Sequence, residues 1–275
     1  MSERVSVTIE GGVADVRLTR GEKMNALDDA MFAGIIEAGE QVSADPSVRC
    51  VVISGEGRAF CAGLDMGNFA KMASGERGGN PADSGGGEGR LEKRTHGDAN
   101  GPQKAVWIWR ECPVPVIAAV HGVALGGGFQ VCLGADIRIV HPETKMSVLE
   151  IKWGLVPDMA GTAIMRGLAR DDIVRELTYT GRIFSGTEAF ELGFVTKLSD
   201  DPYKEALSLA HEIAAKNPDA IRGNKRIFNS VGQMSGPEAL MQESLEQDKI
   251  IGAKNQIEAV MSQLEKRPGN YEDGR

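Results

Sequence analysis

The fold turns on one stretch, His121-Gly122-Val123-Ala124-Leu125-Gly126-Gly127-Gly128-Phe129-Gln130. The apolar residues 114–120 before it read as a buried strand, and residues 131–135 after it read as the first turns of a buried helix. Three consecutive glycines between strand and helix leave backbone N–H groups uncovered by any Cβ, where the helix start adds partial positive charge. Such a turn can hold an anion, or a carbonyl oxygen becoming one. Close packing or a tight turn accounts for the same glycines, so the reading needs a second donor.

That donor is supplied upstream. Val51-Val52-Ile53-Ser54 reads as a strand and Gly55-Glu56-Gly57 as the turn after it, followed by Arg58-Ala59-Phe60-Cys61-Ala62-Gly63-Leu64-Asp65-Met66. Small residues around Gly63 let a ligand approach the main chain. Two backbone N–H groups from separate segments aimed at one oxygen make an oxyanion hole.

These segments carry a family resemblance. In chain order, Asn25-Ala26-Leu27, the segment 57–65, the segment 118–128, Ala135-Asp136-Ile137-Arg138-Ile139, the segment 150–161, Gly181-Arg182, the segment 189–195 and Glu265-Lys266-Arg267 resemble the enoyl-CoA hydratase/isomerase (crotonase) family. The resemblance spans nearly the whole chain apart from residues 67–102. It implies an α/β fold, a crotonase-like spiral of ββα units with a helical C-terminal region. It places the two oxyanion donors on the backbone N–H groups of Leu64 and Gly127, and the coenzyme A wall along Met24, Ala26, Ala62, Leu64, Asp65 and Gly127. It further implies trimers, often paired into hexamers.

The acid–base groups select the reaction. Gln130 follows Gly127 by one turn of helix, and Glu150 sits in Leu149-Glu150-Ile151 ahead of Pro157. In the family's hydratases both positions are glutamates that hold and activate water; Gln130 cannot move a proton there, although its amide can orient water or substrate. Without the resemblance, Gln130 reads as a polar residue completing a helix start and Glu150 as a solvated loop carboxylate. Asp158 lies eight residues beyond Glu150. That pair resembles the dienoyl-CoA isomerases, in which a Glu and an Asp so placed serve opposite ends of a conjugated system. Those isomerases carry an Asp where this chain has Gln130. Asp158 also reads as the N-cap of a helix starting near Ala160.

Composition fits independently. A chain of 275 residues can bury a sizeable core, and a formal charge of −8 with a pI near 5.2 argues against a general nucleic-acid surface. Cys50, Cys61, Cys112 and Cys132 sit in apolar surroundings at spacings that match no zinc site or disulfide framework. No targeting segment or membrane-length apolar run stands out, and a cytoplasmic enzyme is the expectation. No Walker loop, dinucleotide fingerprint or metal cluster is found, so no cofactor is expected beyond coenzyme A carried on the substrate.

The expected organisation is a core over 1–200 and a helical oligomerisation region over 201–275. Residues 5–9 and 13–18 alternate as a hairpin, 28–42 as a helix and 48–54 as a strand. Strand, helix, strand is expected over 114–120, 127–135 and 137–140, and again over 146–147, 160–169 and 174–178. Helices are expected over 203–217, 218–231, 237–251 and 257–265. The glycine-rich insertion 67–102 reads either as a solvated surface loop or as a flap over an acyl pocket walled by Leu91 and Val106-Trp107-Ile108-Trp109, though the tryptophans read equally as core. His121 and Asp136 read as structural, and Lys225 and Arg226 as solvated charges or coenzyme A phosphate contacts. The leading function is double-bond isomerisation of an unsaturated acyl-CoA thioester by Glu150 and Asp158. The alternatives are hydration of a 2-enoyl-CoA, or a non-catalytic acyl-CoA-binding or RNA-associated role.

Overall fold

A computed structural model describes residues 3–74 and 91–274. Strands β1 (Val5–Glu10) and β2 (Val13–Leu18) form the expected antiparallel hairpin, pairing Val5 with Leu18 and Glu10 with Val13. From β2 onward the main sheet is parallel. It continues through β3 (Cys50–Gly55), β4 (Val116–Val120), β6 (Ile137–Val140) and β9 (Lys197–Leu198), in the order β1-β2-β3-β4-β6-β9. A second sheet has the order β5-β7-β8, from Val123–Leu125, Lys145–Ser147 and Phe184–Ser185.

The ββα repeat follows from this arrangement. β4 enters the main sheet, β5 enters the second, and α4 (Gly127–Leu133) turns the chain back. β6, β7 and the short α5 (Gly161–Met165) repeat the course one step further along. β3 begins the same path, with Cys61 making an isolated parallel bridge to Ala124 of β5 before α2 (Met66–Ala73).

Both faces of the parallel sheet are buried, which is why its strands read as apolar runs. Val51, Ile53, Val116, Ala118 and Val120 face the main core, with α1 (Asp29–Ala44) and α3 (Gly101–Glu111) packed there. The alternate residues Cys50, Val52, Ile117 and Ala119 face α8 (Pro202–Ala214), whose Ala206, Ala210 and Ala214 let it lie close. Beyond α8 come α9 (Pro218–Ser230), α10 (Gly236–Asp248) and α11 (Lys254–Leu264), the expected helical region.

Four expectations change. Residues 174–178 are not a strand; they lie inside α6 (Asp171–Thr180), where Ile173, Val174 and Leu177 turn one helical face to the core. Asp158 is not the N-cap residue: α5 begins at Gly161 with Ala160 at the N-cap, and the Gly161 N–H donates to the Gln130 side chain. Residues 106–109 belong to α3, where Val106, Ile108 and Trp109 are core residues rather than a pocket wall. The insertion 67–102 is not loop throughout, because α2 occupies its start and an Asn100–Gln103 capping box opens α3 at its end. The glycines at 75, 78, 79, 85, 86, 87 and 89 lie outside the described residues, and so does the part of the loop-or-flap reading that falls on them. Sequence patterning also missed β5, β8, β9 and α7 (Gly186–Glu191), which are two to six residues long and carry almost no periodic signal.

Candidate functional site

Two glycine-bearing segments meet at the head of the site. Gly63 has φ +88°, and a Cβ on it would stand 2.5 Å from the Leu125 carbonyl oxygen. A Cβ on Gly128 would stand 2.2 Å from the Cys61 carbonyl oxygen. Only residues without a side chain permit this approach. It brings Leu64 and Gly127 to one cavity. Leu27 locks Leu64 from behind, its N–H donating to the Gly63 carbonyl at 2.8 Å and its carbonyl accepting from Asp65 at 3.0 Å. Among the described residues, no acceptor takes the N–H of Leu64 or of Gly127.

Glu150 stands across from them on the 3₁₀ turn Glu150–Trp153 and is only 8% exposed. Its Oε1 is 3.4 Å from where a Cβ on Gly126 would sit, which sets the carboxyl against the glycine turn. That oxygen accepts from Gln130 Nε2 at 2.6 Å, and Oε2 is buried with no partner. Burial pushes the carboxyl above the usual carboxylate range, and the charge of Asp158 adds to the rise; a backbone hydrogen bond and the Gln130 amide oppose it.

Gln130 does not face the cavity. It is fully buried, and its Oε1 accepts from the backbone N–H groups of Met159 and Gly161 at 3.0 and 2.9 Å. The expectation that its amide orients water or substrate therefore gives way to a protein-bonded amide. Asp158 is exposed and lines the same cavity as Glu150.

The cavity holds about 650 Å³, and Met24, Ala26, Ala62, Leu64, Asp65, Gly127, Glu150 and Asp158 all line it. Asp65 is a tie: its carboxylate accepts from the Gly67 N–H at 2.7 Å and from Arg20 at 2.6 Å, in that order holding it below its ordinary value. Asn25 is buried behind Met24 and Ala26, donating to the carbonyls of Glu56 and Ala59. The apolar wall comes from Phe69 of α2 and Trp153, stacked at 4.3 Å between ring centroids, together with Leu155 and Met159. Sequence reasoning missed this wall. The available signal was the helical spacing of Met66 and Phe69 after Asp65, and the position of Trp153 one turn past Glu150.

Other candidates lie elsewhere. Lys225 is buried, with Nζ 2.5 Å from Asp136 and 3.2 Å from the Trp109 carbonyl, and Arg226 is paired with Glu246 at 2.6 Å. Neither lines the cavity, so neither is a phosphate contact within this chain's own site. Asp136 also accepts from the Val116 N–H at 2.8 Å, and His121 bonds the Gly57 carbonyl at 2.9 Å, both structural as expected. All four cysteines are free and buried, and burial pushes the Cys61 thiol up to about 12. Among the described residues no group of three His, Cys, Asp or Glu could hold a metal ion, and no helix is long and apolar enough to cross a membrane.

Two unsatisfied backbone donors and a buried carboxyl around an apolar cavity are the parts with which an enzyme polarises a carbonyl and moves a proton beside it. The chain belongs to the enoyl-CoA hydratase/isomerase family, whose model matches residues 13–273. It is 29% identical over 271 residues to the mitochondrial Delta(3,5)-Delta(2,4)-dienoyl-CoA isomerase of Mus musculus, covering 96% of this chain and 80% of that protein. It is also 29% identical over 267 residues to the mitochondrial methylglutaconyl-CoA hydratase of the same species, covering 94% and 79%. The crystal structure of an enoyl-CoA hydratase from Bacillus anthracis superposes with a TM-score of 0.85 at 26% identity, over 98% of this chain and 99% of that one.

Proposed function

We propose that this acyl-CoA enzyme shifts double bonds in an unsaturated acyl-CoA, a 3,5-dienoyl-CoA or a 3-enoyl-CoA, with Glu150 and Asp158 as the proton-moving pair. The observation that carries the reading is the state of Glu150 and its neighbour. One Glu150 oxygen is pinned by an amide, the other is free, and the group that would complete a water-activating carboxylate pair is a buried glutamine bonded to protein at both ends of its amide.

In this reading the N–H groups of Leu64 and Gly127 hydrogen-bond the thioester oxygen. Ionised Glu150, made more basic by burial and seated beside the glycine turn, takes the proton from the carbon next to the carbonyl. The electron pair moves into a dienolate whose oxygen the two N–H groups stabilise. In the form of the pair that carries its one proton on Asp158, that residue delivers it to the far carbon of the conjugated system, and the double bonds end displaced with no water consumed. The pair thus shares one proton, which passes from Asp158 to substrate and from substrate to Glu150. Exchange through solvent-exposed Asp158 resets it. Coenzyme A enters on the substrate, and no other cofactor takes part.

Hydration of a 2-enoyl-CoA is the second reading, favoured by the match to methylglutaconyl-CoA hydratase. An acyl-CoA panel followed by ultraviolet absorbance and mass tests the choice. Isomerisation changes absorbance at constant mass, whereas hydration adds one water. Efficient hydration of crotonyl-CoA with no detectable double-bond shift overturns the isomerase reading. The proposal includes a trimer or dimer of trimers, supported by Leu240, Leu245, Ile251 and Ile257, which stand exposed on and beside α10 and α11. Light scattering showing a monomer at micromolar concentration counts against it.

A further inference from the structure

Gln130 is neutral, fully buried and bonded to three groups, and it does not itself line the cavity. Its Nε2 holds Glu150, and its Oε1 holds the two N–H groups that flank Ala160, directly after Asp158. Gly161 is fitted to it: a Cβ there would lie 2.6 Å from Gln130 Oε1 and 2.8 Å from its Cγ. We propose that Gln130 is a positioning residue that sets both carboxyl groups through one amide, pinning one oxygen of Glu150 so that the other is the working atom and clamping the turn that carries Asp158. The inference rests on the reading of Glu150 and Asp158 as the proton-moving pair.

Neutrality is as important as reach. An amide donates to Glu150 at any pH, whereas a carboxyl in its place could do so only while protonated. Two carboxyls in contact share a proton, and one of them titrates well above its ordinary range. The titratable groups around the cavity that Glu150 faces are Asp158 on the following turn, and Arg20, Glu22, Lys23 and Asp65 on the segments across it. Arg20 and Asp65 are paired to each other, and Asp158 is the carboxylate whose charge acts on Glu150. Gln130 keeps a further carboxylate out of direct contact with Glu150.

The test uses two variants and a readout that needs no turnover. Gln130→Glu preserves size and both acceptor bonds. The Glu150 titration, followed by carbon-13 NMR of side-chain-labelled glutamate in the free protein, is expected to move up by at least about one pH unit. The acid limb of kcat/KM is expected to move with it. Gly161→Ala leaves Gln130, Glu150 and Asp158 in the sequence but drives a Cβ into the clamp. It is expected to lower kcat at least about tenfold with KM within about twofold, because the carboxyls shift while the coenzyme A wall does not. A glutamine that only supports the fold would lower the melting temperature in both variants and leave the titration and the limb in place; that result, in folded protein, overturns the inference. A titration that moves in a protein whose wild type isomerises nothing would instead overturn the isomerase reading and leave the clamp standing.

Discussion

The two walls of the cavity are held by different forces. The wall that carries Leu64 and Gly127 is main chain against main chain: a bridge from Cys61 to Ala124, another from Leu27 to Leu64, and glycines that let them touch. Among the described residues, the wall that carries Glu150 and Asp158 has no strand partner. Local turns shape it, and side chains hold it: the Gln130 amide on one side and the Phe69 ring stacked on Trp153 on the other. The first wall is a fixed cradle for one oxygen. The second decides what happens to the rest of the acyl group, and single side-chain changes can retune it.

The sharpest way to separate the walls is Glu150→Gln. It keeps an acceptor for Gln130 and removes the proton-moving group, so kcat is expected to fall at least about 100-fold with substrate binding retained. Stability is expected to move the other way. The folded carboxyl titrates above its unfolded value near ~4.3. The folded state therefore prefers the protonated group, and that contribution is complete below the unfolded pKa and lost as pH rises through the folded one. At pH 7 the glutamine variant is expected to melt higher than the wild type, with the difference closing as pH falls below the carboxylate range. A variant that is both inactive and less stable at pH 7 would show that Glu150 is structural.

Asp158→Asn probes the exposed end of the same wall. Because Asp158 is exposed and is not the N-cap residue of α5, the substitution should move melting little while costing about 100-fold in isomerisation. Full activity on every isomerisation substrate would remove Asp158 from the chemistry.

Gly63→Ala breaks the other wall. At φ +88° with a carbonyl oxygen 2.5 Å from the new Cβ, the two glycine segments must part. The expected cost is about 2–3 kcal/mol of stability, a melting temperature lower by roughly 5 °C or more. Isomerisation and any hydration should fall together, since both need the oxyanion donors. A fall in only one reaction would mean that the cradle is not shared.

The difference between the walls also explains what could be read from sequence. Glycines at 63 and 128 announce close main-chain approach, because a Cβ at either would strike a backbone carbonyl oxygen, and the parallel strands announce themselves as apolar runs buried on both faces. The geometry around Glu150 was not legible. Gln130 meets Met159 and Gly161 across about thirty residues of chain, and no local pattern says that an amide will face inward to bond them rather than outward to the cavity. The same limit misplaced 174–178, where the β-branched Val174 and Thr178 on either side of Leu177 fit a strand while the Asp171–Arg175 pair and the core face belong to a helix. It also left Trp107 and Trp109 open between pocket wall and core, and the tryptophan that lines the cavity is Trp153.

That ring supplies the smallest and most discriminating test. Trp153 is 41% exposed, stacks on Phe69 with 25° between the planes, and has the Lys152 ammonium 5.7 Å from its centre. Trp153→Ala removes apolar area that an acyl tail would cover without emptying the core, so stability should change by about 1 kcal/mol or less. For acyl groups of roughly eight carbons or more, KM is expected to rise about 5- to 10-fold with kcat unchanged, in line with the loss of two or three buried methylene contacts. For a four-carbon acyl group, whose tail ends near the carboxyls, KM should stay within about twofold. A KM that rises equally for both lengths would mean that the ring acts by holding the turn of Glu150. In that case kcat and its acid limb should shift as well, which separates a ring that touches substrate from one that positions the acid.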